Sequence, residues 1–375
     1  KYQRADIDAR AHAAKIPGSV DFTIGRAIAT ASIVLYDQPK IVADVQIGDM
    51  RYGPTVIESA RAKIDYAAGR GTAQALLTGS NGVPFRVAAN ARLARGDWLV
   101  ALSGNANGVG FKTGSPARIT SQHGRYELAP TLITFDKGRA RISGSYGDKL
   151  VAHLGLESLD LSIVDAFVPN VGIGGQATGS VDITQAGSNA VPDVDARLSI
   201  AGFTRSSLVT VSEPVDVELI GRLSGAGGEA RAPVKRGPTT VGRMVATLRP
   251  IPAGDAPWME RLMQAPLGGG IRYNGTAAVL FSFGGLANQQ LTGAIAIAAD
   301  FGGRLAAPQL NGIVRADNLT YDNETYGTRL TQMQIRGRFT ADRLQLDSLQ
   351  ARAGDGTVQA KGFVSLSAEQ RYPMN

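Results

Sequence analysis

Apolar and polar residues alternate along most of this chain. From Thr357 to Leu366, Val358, Ala360, Gly362, Val364 and Leu366 fall on one face of an extended segment. Thr357, Gln359, Lys361 and Ser365 fall on the other. Period two with one apolar and one polar face predicts a half-buried β-strand. The same alternation places Val20, Phe22 and Ile24 together, then Ile41, Ala43, Val45 and Ile47, then Val87, Ala89, Ala91 and Leu93. It resumes with Val194, Ala196, Leu198 and Ile200, and with Val215, Val217 and Leu219. Later runs predict a strand face of Ala277, Val279, Phe281 and Phe283, and another of Leu291, Gly293, Ile295, Ile297 and Ala299. Met333, Ile335 and Phe339 lie in a further strand-like run from Gly327. Asn81-Gly82 and Gly354-Asp355-Gly356 are tight-turn signals between such runs.

Two stretches have helical spacing instead. Leu159, Ile163, Ala166 and Phe167, stopped by Pro169, predict one short helix over 157–168. Trp258, Leu262 and Met263 predict another over 256–264. Gly225 to Pro238 reads as the most loop-like segment, an inserted loop. Strands therefore recur with short connections and almost no helix between them. Short connections favour antiparallel pairing, because parallel strands need long crossovers. The expected fold is all-β: one long antiparallel sheet, curled into a trough with an aliphatic interior. About 20 strands at about 4.8 Å each make a trough on the order of 100 Å long. The whole of 1–375 reads as one continuous array, with sub-units 1–156, 157–255 and 256–375 set off by the two helices.

Composition shapes that picture. Hydrophobic residues make up 43% of the chain but aromatics only 6%, so the apolar face is built from Ala, Val, Ile and Leu. A face so poor in bulky side chains suits a sheet that curls on itself better than a two-sheet sandwich. The net charge is +7, spread as single arginines at polar strand positions. Only Lys235-Arg236 with Arg231 and Arg243 approaches a cluster, and no dense basic stripe with interleaved aromatics suggests nucleic acid. There is no cysteine, which removes disulfides, thiolate nucleophiles and zinc–thiolate sites.

Catalytic chemistry finds no foothold. His12, His123 and His153 stand apart from one another, without partners at ligand spacing. Asp355 sits in a turn and lacks a paired carboxylate. Gly172-Ile173-Gly174-Gly175 lacks the Lys-Ser/Thr of a phosphate loop. Asp322-Asn323-Glu324 lacks calcium-loop spacing. The reading is a non-enzyme with no cofactor and no metal.

One block carries more than periodicity. Gly303-Arg304-Leu305-Ala306-Ala307-Pro308-Gln309-Leu310-Asn311-Gly312 resembles the G-x-L-x-x-P-x-[LIV]-x-G segment of the TamB family, AsmA-like proteins of the Gram-negative envelope. Gly327-Thr328-Arg329-Leu330, Asp342-Arg343-Leu344-Gln345-Leu346 and Ala351 to Val358, followed by Ala360-Lys361-Gly362, are similar to the strands that succeed it. Before residue 250 the resemblance is one of architecture only.

The resemblance implies a protein anchored in the inner membrane that spans the periplasm as a curled sheet with a hydrophobic groove. It implies passage of phospholipid toward the outer membrane, and work with a BamA-like outer-membrane barrel, TamA. The segment is then an internal piece, its anchor outside the sequence at hand. The expected function is lipid transfer along the groove, with phospholipid acyl chains as partner. The alternative is a scaffold for outer-membrane protein assembly, in which a free sheet edge templates client strands. Candidate groove-lining residues are Val217, Leu219, Val279, Phe281, Phe283, Ile295, Ile297, Met333, Ile335, Phe339, Val358, Ala360, Val364 and Leu366.

Overall fold

A computed structural model of the chain describes residues 3–16, 22–35, 40–53, 55–166, 171–206, 211–282, 288–341 and 343–365. Strands dominate them, and the pairings described are antiparallel, so the all-β antiparallel architecture is the one found. The chain divides into two compact units, Lys1–Ile173 and Gly174–Asn375. Among the described residues no helix is long and apolar enough to cross a membrane.

The first unit runs as β1 (Gln3–Ile16), β2 (Phe22–Leu35), β3 (Lys40–Tyr52), β4 (Thr55–Ala67), β5 (Arg70–Asn81), β6 (Pro84–Ala94) and β7 (Asp97–Ala106). It continues with β8 (Val109–Thr113), β9 (Ala117–Gln122), β10 (Arg125–Phe135), β11 (Arg139–Tyr146) and β12 (Leu150–Asp160). Consecutive strands pair, except that β8 and β9 are two halves of one path, each lying between β7 and β10. Ala68-Gly69, Asn107-Gly108 and His123-Gly124 each have both φ angles positive. That is the geometry of a two-residue turn whose twist matches the strands it joins. His123 is thereby a turn residue.

Ala13 and Asp49 have φ of 49° and 54°, and the register slips between Ile57 and Ser59. These bulges lie on neighbouring strands and change the spacing of inward residues from two to three. Ala11 and Ala14, Ile24 and Ala27, Ile47 and Met50, and Ile57 and Ala60 therefore share one face. A single extra residue per strand keeps the apolar face continuous where the alternation would otherwise invert.

The short helix expected over 157–168 forms only in part. Residues 157–160 end β12, and only Leu161–Ala166 coil, as a 3₁₀ turn. Ser158 has φ 47°, and this bulge puts Leu159 on the same buried face as Leu156. A bulge and a helical turn both bring residues three apart to one side, which is why the spacing misled. Phe167 and Pro169 lie outside the described residues.

The second unit holds β13 (Ile173–Gln185), β14 (Asp193–Arg205), β15 (Val215–Ser224), β16 (Gly227–Arg236), β17 (Thr239–Leu248) and β18 (Leu267–Thr276). It ends with β19 (Gln289–Thr292), β20 (Ala294–Arg304), β21 (Ala307–Asn323), β22 (Thr328–Ala341), β23 (Arg343–Ala353) and β24 (Gly356–Ser365). The Gly225–Pro238 segment, expected as a loop, is mostly β16, paired with β15 and β17. Gly225 and Gly237 sit in the flanking turns, Gly227 and Gly228 open the strand, and Ala230, Ala232 and Val234 alternate inward along it. Gly354-Asp355 forms the expected turn between β23 and β24.

The helix α1 (Trp258–Met263) falls within the expected 256–264. A second helix, α2 (Ala277–Ser282), replaces the strand expected at Ala277, Val279 and Phe281. Ala-Ala-Val-Leu-Phe is apolar at every position, so no period distinguishes helix from strand there. Local bonds decide. The Thr276 hydroxyl accepts from Ala278 N–H at 3.2 Å, and Ala277 N–H donates to the Gly293 carbonyl at 2.8 Å. Gly293 separates β19 from β20 with φ 107°, and a Cβ there would stand 2.5 Å from the Asn318 carbonyl oxygen.

Candidate functional site

Directly paired residues of neighbouring strands project to the same face, so the registers trace the sheet surface row by row. In the first unit one row runs Ile7, Ala31, Ala43, Ile64, Ala73, Ala91 and Val100. A parallel row runs Ile33, Ile41, Tyr66, Gly71, Leu93, Trp98 and Ile119. A third contains Ala29, Val45, Ala62, Ala75, Ala89 and Leu102. Every member of these rows is apolar, and most are only half-buried. Ile7 and Ile64 keep 45% and 37% of their surface.

The opposite face is largely polar and ion-paired, with the exposed aliphatics Ile28, Val42, Leu76 and Leu99 set among its polar residues. One row reads Asp8, Thr30, Asp44, Lys63, Gln74 and Asn90, with Lys63 Nζ 3.3 Å from Asp44. Arg118 donates from Nε and Nη2 to the two Asp97 oxygens at 3.0 and 2.9 Å. That pair of bonds holds the Asp97 carboxyl below the usual carboxylate range. The first unit thus carries an apolar face that remains accessible, backed by a face that is solvated.

In the second unit the corresponding face is partly filled from within. Ala277, Ala316, Leu319, Met333 and Ala351 form one buried cluster, against which Ile295, Ile335 and Leu349 pack. Val215, Val241, Tyr273 and Val279 form a second, flanked by Val217, Ile295 and Ile297. The α2 helix supplies Ala277 to the first and Val279 to the second, so it acts as the covering element. The Tyr273 hydroxyl donates to the Thr276 carbonyl at 2.8 Å, and burial pushes its pKa up.

The registers bring many of the expected groove residues together. Val217 and Ile297 belong to one row, through Val234, Gly242 and Tyr273. Phe339 pairs with Leu344, which pairs with Val364. Ile335 reaches Ala360 through Leu349. Leu219 pairs with Leu198, Met333 with Leu319, and Val358 with Ala351. Burial separates them: Val279 and Met333 keep 2% and 3% of their surface. Val217, Leu219, Phe281, Ile295, Ile297, Ile335, Phe339 and Val358 are half-buried, and Ala360 is exposed. Phe281 meets Tyr321 edge-on, ring centres 6.4 Å apart. Phe283 and Leu366 lie outside the described residues. The most accessible apolar rows, in β1 to β7, lie outside the candidate set. Their alternation was visible, but no sequence signal ranks one apolar face as more open than another.

Among the described residues no three His, Cys, Asp or Glu side chains gather as a metal site would require. A hollow of about 720 Å³ opens on the polar face of the second unit between Asp182, Asp195, Arg222, Glu229 and Thr247. Comparison with protein-family models, curated proteins and solved structures finds no match to this chain.

Proposed function

We propose that this chain is a segment of a bridge-like lipid-transfer protein of the TamB type, carrying phospholipid by its acyl chains between the inner and outer membranes. The observation that carries the reading is the register-aligned apolar face of β1 to β7. It offers apolar residues, mostly aliphatic, in continuous rows, and they retain accessible surface in the folded unit. Apolar contact is non-directional and worth about 25 cal/mol per Å², so a chain held this way can slide without breaking specific bonds. The 6% aromatic content fits a wall of small aliphatic residues. No catalytic step is needed, and the partner is lipid together with the membrane machinery at either end, a BamA-like barrel in the outer membrane among it.

The test uses Ile64, which sits mid-row between Ala43 and Ala73. Ile64→Asp places a carboxylate on the apolar face at a site already part-exposed, so the strand persists. The protein as purified is expected to carry phospholipid detectable by mass spectrometry, and the variant markedly less. A folded variant with undiminished lipid refutes the conduit. The scaffold alternative draws on β1 and β24, each paired on one side only among the described residues. Crosslinks from β24 to a nascent barrel, with no lipid recovered, would favour it.

A further inference from the structure

On the polar face of the second unit, the registers add a distant arginine, Arg272, to the cations Arg231, Lys235 and Arg243 that approach a cluster in the sequence. Arg243 on β17 lies directly opposite Arg272 on β18. On its other side it pairs with Pro233, which is flanked on the same face of β16 by Arg231 and Lys235. Four cations from three strands thus surround one point. Like charges directly opposite one another destabilise a sheet, so the arrangement is unfavourable in the isolated fold.

Counter-charges stand beside Lys235 and Arg272: Asp216 lies directly opposite Lys235, its Oδ1 accepting from Gly202 N–H. Arg272 Nη2 donates to Asp300 at 2.7 Å, and Nη1 to the Ala299 carbonyl at 2.8 Å. Lys235 Nζ meets Glu218 at 2.6 Å. Glu229 lies two residues before Arg231 on the same face. Among the described residues neither Arg231 nor Arg243 has an ion-pair partner.

The cations are interleaved with exposed aliphatic residues. Ile220 and Val245 both pair with Arg231, and Ile220 keeps 55% of its surface. A nucleic-acid surface would set aromatic rings among the cations for base stacking, and none stands at these paired positions. Arginines beside aliphatic side chains suit a bilayer surface, the cations meeting anionic head groups and the aliphatics the acyl boundary.

The geometry points to this patch, centred on Arg231 and Arg243 with Ile220 and Val245, as a docking surface for a membrane rich in anionic phospholipid. Binding there does not depend on the conduit reading.

The test is binding of the full chain to phosphatidylcholine vesicles with and without phosphatidylglycerol, by flotation. Binding is expected only with the anionic lipid and is expected to fall as salt rises. Neutralising a cation near an anionic surface lowers affinity about fivefold, so Arg231→Gln with Arg243→Gln should weaken binding about 25-fold. Ile220→Thr with Val245→Thr keeps β-branched side chains, and should weaken binding while leaving its salt dependence intact. Arg139→Gln, which neutralises an exposed cation already paired with Glu157, should bind vesicles as the unaltered protein does. Equal binding by the double-Gln variant overturns the proposal. So does capture of a short single-stranded oligonucleotide by the same two arginines when the vesicles are not bound.

Discussion

Leu319→Ala tests whether α2 and the β21–β22 ladder form a packed core in the second unit or leave an open wall. Leu319 has no exposed surface and pairs with Met333 across the ladder. Its cluster partners Ala277, Ala316 and Ala351 are small and set on backbone already bound in strands or in α2. They have no side-chain length with which to fill a void, which leaves Met333 as the one long buried side chain of the cluster beside it. Buried Leu→Ala changes cost about 2.7–5.0 kcal/mol, the upper part where relaxation is least. The expected loss here is about 3–5 kcal/mol. The assay is urea denaturation of the full chain followed by far-UV circular dichroism, with Ile220→Ala as the control. Ile220 is mostly exposed on the opposite face, and its truncation should change stability by less than about 0.5 kcal/mol. Adjacent strand units can unfold separately, so the loss is read from the transition that shifts. If Leu319→Ala costs no more than Ile220→Ala, the buried cluster is not the core described.

Gly293→Ala should destabilise the second unit by about 2–3 kcal/mol, because φ 107° strains an L-residue and the new Cβ meets the Asn318 carbonyl; a thermal melt checks it. Arg243→Thr should stabilise the fold by about 0.5 kcal/mol by removing a like-charge cross-strand pair, while weakening anionic vesicle binding. An unchanged or lowered melting point would mean that the repulsion is already screened. Asp97 should titrate below the usual carboxylate range because Arg118 donates to both its oxygens. Its folded pKa lies below its unfolded value, so the contribution of the pair is full above about pH 4 and is lost as pH falls through the depressed value. Arg118→Gln should return the Asp97 titration, followed by carboxyl NMR, to the ordinary range.

Fold class was legible in the sequence because a strand's side-chain period is a local property. Val358, Gly362 and their polar neighbours declare an amphipathic strand whatever they pair with. The turns were legible for the same reason: Gly354-Asp355 carries its own backbone preference. Three elements were not. The bulge at Ser158 imitates helical spacing, the all-apolar run at Ala277 has no period to read, and the glycines in and around β16 suggest a loop where a paired strand forms. The candidate groove was half legible. Its members on described strands fall into paired apolar rows, but alternation assigns faces without saying what covers them, and so Val279 and Met333 looked like Val358.

The sequence by itself determined an all-β chain with one aliphatic and one polar face, because period two is written residue by residue. Only the tertiary structure decided the rest. Pairing register lines up Ile7, Ala43 and Ile64 into a row and sets Arg243 against Arg272, from positions far apart in the chain. The folding of α2 onto the second unit buries there what the first unit leaves accessible. Such contacts depend on which strand lies beside which, and that is fixed by the sum of many ladders and bulges, with no short stretch carrying it alone.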